Sequence, residues 1–149
     1  MANEEQLSIL KQGVETWNRW RKDNPEIEID LQEVDLSKNN LIEVNFSTAN
    51  LTSADFRKSF LWRANLGGAK LSSANCEESE FSFAYFGGAD VSGANLCSTL
   101  LRSVNFREAN LSNANLADSH LPNTDFSKAN LDGMKLTNAT LSSTFFGSN

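Results

Sequence analysis

From Leu31 to Phe146 every fifth residue is apolar, 24 positions in succession, with Cys76 and Val91 the only departures from Leu or Phe. The residue two before each of these centres is mostly small, Ala in 12 cases, and the residue one before is Asn or Asp in 15. A period of five matches neither the 3.6 of a helix nor the 2 of a strand. It matches a chain that turns every five residues, with the centre and the small residue before it pointing inward and the other three side chains facing water. Self-similarity at a fixed period marks a repeat architecture.

A second period sets how many turns close one circuit. Every twentieth residue from Phe46 gives Phe46, Leu66, Phe86, Phe106, Phe126 and Phe146, whereas the column from Leu41 reads Leu41, Leu61, Phe81, Leu101, Leu121 and Leu141. The inward partners of the second column are polar (Asn39, Ser59, Ser79, Thr99, Ser119, then Ala139), while the column from Ala49 to Ala129 is uniformly Ala. Residues twenty apart therefore share an environment, and four five-residue sides make a square coil. Six such coils, stacked at the ~4.8 Å spacing of paired strands, predict a rod roughly 25–29 Å tall. Phe46, Phe86, Phe106, Phe126 and Phe146 are expected to form one buried ladder. The glycine pairs Gly67–Gly68 and Gly87–Gly88 are expected at corners that need positive φ.

The stretch "VNFREANLSNANLADSHL" resembles the pentapeptide-repeat family motif, Ala-(Asn/Asp)-Leu-X-X. The resemblance implies an all-β solenoid, a right-handed quadrilateral β-helix of about six coils with one N-terminal α-helical cap. It says little about activity, because one scaffold carries many roles. The leader "ILKQGVETWNRWR…NPEI" also resembles that of cyanobacterial members of the family.

Residues 3–23 change register. Leu7, Leu10, Val14 and Trp17 recur at helical spacing, with Ile9 and Trp20 widening the arc. Asn3 with Gln6 resembles a capping box, and Arg21 and Lys22 suit the negative end of the helix dipole. One helix is expected, covering the first coil, with residues 1–26 as cap and linker and 27–149 as the repeat domain.

Composition narrows the function classes. The net charge of −6 disfavours nucleic acid, whose phosphates need clustered Lys and Arg. The acidic start "MANEEQ" lacks a signal-peptide pattern, and no apolar run approaches the ~20 residues of a membrane span. Cys76 and Cys97 form no metal or redox spacing. A reduced, cytoplasmic protein is the expectation. His120, the single histidine, falls in an outward slot with no nucleophile or second carboxylate forced beside it. No phosphate-binding loop, metal motif or nucleophile elbow is present. No catalytic, cofactor-binding or metal-binding residue is expected, and the chain reads as a non-enzyme. Some members of the family mimic duplex DNA and shield type II topoisomerases. Residues 27–149 carry 14 acids and 9 bases, a net of −5, where a rod matching the charge density of DNA would need about 16 negative charges. DNA mimicry is therefore the weaker alternative.

The pattern breaks in one place. Phe60, Trp62, Phe83 and Leu100 flank the centres of the wall that runs from Leu41 to Leu141, Ile42 lies one coil from Trp62, and Tyr85 lies just past the corner. Clustered exposed apolar residues mark interaction sites, so these six are the candidate protein-binding residues for an unidentified protein partner. Phe145 and Phe146 are the candidate end through which two copies pair as a homodimer.

Overall fold

The computed structural model describes residues 2–147. Two helices, α1 (Glu4–Leu10) and α2 (Val14–Asp23), precede a chain of five-residue turns with no further helix among the described residues. Twenty parallel bridges join the chain to itself, and every one pairs a residue with the one twenty further on, from Asp30 with Asn50 to Asp125 with Phe145. One bridge every five residues at a register of twenty gives four sides per circuit.

Each side is built the same way. Away from the last coil the centre and the residue two before it are buried, except that Asn39, expected to point inward, is exposed; the next two residues form a turn, as where the Ala49 amide donates to the Phe46 carbonyl at 3.0 Å. The second turn residue is left-handed at every repeat from Glu33 to Ser143, 19 of these positions being non-glycine with φ between 54° and 64°. Such a φ costs an L-residue roughly 1–2 kcal/mol. Asn and Asp side chains help hold the turn. All fifteen Asn or Asp residues that precede a centre accept a hydrogen bond from the amide two residues on, at 2.9–3.2 Å. Bonds between coils, such as Leu66 N–H to the Tyr85 carbonyl at 2.7 Å, satisfy the rest of the backbone.

The Phe column is a partial ladder. Phe86, Phe106, Phe126 and Phe146 stack face to face with centroids 4.7–5.3 Å apart, but Phe46 is cut off from them by Leu66 and packs against Trp17 and Phe56. Phe146 is exposed, contrary to the expectation of burial, because no coil lies beyond it among the described residues. Leu131 and Leu136 are half-buried for the same reason.

The cap is two helices where the sequence predicts one. Gly13 takes φ 112°, a conformation that breaks the helix and seeds α2. Half of the expected capping box forms: the Asn3 side chain accepts from the Gln6 amide, while the Gln6 side chain turns away to the first coil. There it donates to the Glu28 carbonyl and accepts from the Asp30 amide, both at 2.8 Å, acting as one more peptide unit of the ladder. Asn18 does the same between the Glu43 carbonyl and the Asn45 amide. Trp17 and Arg21 both donate to the Asn45 carbonyl, and Arg21 reaches the Ser47 carbonyl as well. Arg21, in the last turn of α2, thus serves the coil edge as well as the helix end, and burial pushes its guanidinium below the usual range.

Candidate protein-binding wall

The wall that carries the centres Leu41 to Leu141 starts from an unusual interior. Ser59, Ser79, Thr99 and Ser119 are buried where the facing wall holds Ala, and each hydroxyl donates to a backbone carbonyl: Leu36, Cys76, Leu96 and Leu116 respectively. No buried side-chain nitrogen or oxygen among the described residues lacks a partner. The hydroxyls are thus fully used, and the wall differs in what it shows outside.

Outside, the candidate residues stand clear of the fold. Phe60 is 54% exposed, Tyr85 48%, Leu100 47%, Phe83 43% and Ile42 37%, with Trp62 half-buried among them. All the hydrogen bonds from the helical cap to the repeat region fall on residues 28–47. The cap leaves Phe60, Phe83, Tyr85 and Leu100 uncovered.

Three features hold these side chains in place. Trp62 meets Phe83 edge to face, with centroids 5.9 Å apart, and the Arg63 guanidinium lies 4.6 Å over the Trp62 ring. Phe83 is the one apolar residue among the 23 left-handed turn positions, at φ 63°. The Tyr85 ring lies over Gly67 and Gly87, where an added Cβ would come within 2.6 and 2.2 Å of it. The expected positive φ holds for one glycine of each pair, and the other has a different role. Gly68 and Gly88 do have positive φ, but so do their non-glycine counterparts around the rod, whereas Gly67 and Gly87 make room for a tyrosine. Beside Tyr85 runs a shallow groove of about 280 Å³, lined also by Gly87, Gly88, Asn105, Arg107 and Glu108.

The display has a cost in the turns. Phe60, Tyr85 and Leu100 occupy a slot that holds Asn or Asp at 15 of its 24 positions, and none of the three can accept the turn hydrogen bond, worth about 0.5–1.5 kcal/mol each. Sequence reasoning located the six residues from the broken pattern. It also placed Arg63 and Arg102 beside them, but not the stacking of Arg63 on Trp62, and it missed the glycine seat of Tyr85, although Tyr85 sits two residues before Gly87 and eighteen after Gly67.

The remaining candidates are scattered. His120 is exposed and shares a hydrogen bond with the Thr140 hydroxyl. Cys76 is buried, which pushes its thiol far up; Cys97 is half-buried, and its thiol is raised by burial and then by Glu77. Among the described residues no group of three His, Cys, Asp or Glu side chains could hold a metal ion, and no helix is long and apolar enough to cross a membrane. Phe145 and Phe146 are both exposed, on the last described coil.

Pentapeptide repeats are matched in eight copies over residues 29–66, 49–82, 61–102, 79–117 and 105–142. The chain belongs to the pentapeptide-repeat family. Among solved structures it is similar to the pentapeptide-repeat protein Rfr23 of the cyanobacterium Cyanothece 51142, at 25% identity over 89% of this chain and 99% of that one, with a TM-score of 0.37. A pentapeptide-repeat protein of the Arabidopsis thaliana thylakoid lumen is 32% identical over 70% of this chain and 63% of its own, with a TM-score of 0.29. QnrB1, a plasmid-mediated fluoroquinolone resistance protein, is 16% identical over 78% and 72%, with a TM-score of 0.41. No curated protein matches the chain.

Proposed function

We propose that this protein is a non-catalytic scaffold, a right-handed rod of about six coils that binds a protein partner through the wall bearing Ile42, Phe60, Trp62, Phe83, Tyr85 and Leu100. The observation that carries this reading is the surrender of stabilising turn chemistry on that wall. Phe60 and Leu100 on it, and Tyr85 just past its corner, displace the turn-bonding Asn or Asp, and an aromatic takes a left-handed slot used elsewhere by polar residues or Gly. Departures from local consistency of this kind cluster at functional sites. The composition fits as well, since aromatic anchors with Arg63 and Arg102 nearby match the cores of protein interfaces.

A photo-reactive phenylalanine analogue placed at Phe60, and at Asn110 in the same slot across the rod, tests the reading. Incubated with an extract of the source organism, the Phe60 derivative is expected to cross-link a discrete protein that the Asn110 derivative does not. Equal labelling from both positions contradicts it. Pairing of two copies through the exposed Leu141, Phe145 and Phe146 is a separate proposal, checked by the mass from light scattering at high concentration.

A further inference from the structure

We infer, resting on that reading, that the wall takes a short acidic, amphipathic helical segment of its partner, laid along the rod, and not a broad globular surface. The size of the patch points there first. Aromatic side chains offer roughly 150–250 Å² each, so the exposed fractions leave on the order of 450 Å² of apolar surface. A standard globular interface needs about 800 Å² from each partner. The patch spans three coil steps from Ile42 to Leu100, about 14 Å, which matches roughly nine residues of helix at 1.5 Å rise. Its anchors are already ordered, Trp62 between Phe83 and Arg63 and Tyr85 on its glycines, so a small segment gains affinity without ordering the wall.

Charge selects the segment. The chain as a whole carries −6, yet on the four coils that bear the patch this wall and its leading corner place four cations, Lys38, Lys58, Arg63 and Arg102, against Glu43, Glu78 and Glu80, with Asp118 one coil further on. None of the four cations forms an ion pair among the described residues. Glu80, the one acid between Phe60 and Leu100, is engaged by the Ser82 amide at 2.6 Å. Arg63 and Arg102 stand beside the anchors with no ion pair among the described residues, and acidic residues flanking an apolar stripe complement them.

A phage-displayed library of random twelve-residue peptides, panned against the full chain, tests this. The expected consensus sets Asp or Glu beside Leu, Phe or Trp, and synthetic copies are expected to bind at least tenfold more weakly to R63E/R102E. Phe60→Asn alone, which leaves the fold intact, is expected to weaken them as well. A basic or neutral consensus, indifference to R63E/R102E, or no enrichment overturns the acidic-segment inference while the wall reading stands. Peptides that bind Phe60→Asn and Trp62→Ala as well as the parent overturn the wall reading itself. A dimer by sedimentation that Trp62→Ala dissolves assigns the wall to a second copy and overturns both.

Discussion

Two walls face each other across the core, and they differ in almost everything except their apolar centres. The wall of Leu51, Leu71, Val91, Leu111 and Leu131 carries Ala at every inward partner from Ala49 to Ala129. Four of its five preceding residues, Asn50, Asp90, Asn110 and Asn130, accept the turn bond. Its turns read Thr-Ser, Ser-Ser, Ser-Gly, Ser-Asn and Asp-Gly. The facing wall buries hydroxyls, and of its six preceding residues only Asn40 accepts the Asn-type bond, with Glu80 substituting through its longer side chain. The first wall is what the repeat needs to stand. The second keeps the coil geometry while spending its outward slots on large apolar groups, so the period of five tolerates a binding face provided the inward positions stay filled.

That contrast can be broken at several levels. The core is common to both walls, so Phe106→Ala is expected to cost about 3–5 kcal/mol of unfolding free energy, measured by denaturant titration; a loss below about 1 kcal/mol would place that ring outside the core. Moving the wall's chemistry across the rod comes next. Asn110→Phe removes a turn bond and is expected to destabilise by about 0.5–1.5 kcal/mol in the same titration. Gly87→Ala sharpens the comparison from the other side. The new methyl group displaces the half-exposed Tyr85 ring and meets no other backbone, so the cost to folding is expected below about 1 kcal/mol, while wall-binding peptides lose affinity and the tyrosine becomes more accessible to iodination.

Acid tests the regular side. Side-chain hydrogen bonding to Arg57 holds the Asp55 carboxyl below its usual range, and Ser37 and Gln32 do the same for Asp35 and Asp30. All three lie off the aromatic wall. A folded-state pKa below the unfolded one gives stability that is present above the ordinary carboxylate range and is lost as pH falls through the folded value. Thermal unfolding is therefore expected to drop below about pH 4. Asp55→Asn keeps the turn bond and flattens part of that fall, with little change at pH 7 because its ion pair with Arg57 is exposed.

Much of this was legible in the sequence. The two periods follow from side chains alone, because a centre every five residues and like residues every twenty leave one arrangement, and the turn role of Asn50 or Asn110 follows from a side chain that bonds two residues ahead. The cap was legible as apolar spacing only. That Gln6 and Asn18 would extend the ladder depends on where the first coil's edge falls relative to each helix, which no local pattern encodes, and Gly13 breaks the helix through a φ that spacing does not reveal. The seat of Tyr85 was hidden because its glycines are remote in one direction and have an ordinary φ. Phe146 continues the column in sequence yet lacks a neighbour on one side.

The most direct test of the central claim, that the aromatic wall exchanges stability for display, is the unfolding free energy of Phe60→Asn/Leu100→Asn. Both substitutions restore the residue the repeat prefers at exposed positions. The double variant is expected to be more stable than the parent by about 1–3 kcal/mol, from two recovered turn bonds. A variant less stable than the parent would mean that Phe60 and Leu100 hold the fold together, and the wall would lose its standing as a surface kept for a partner.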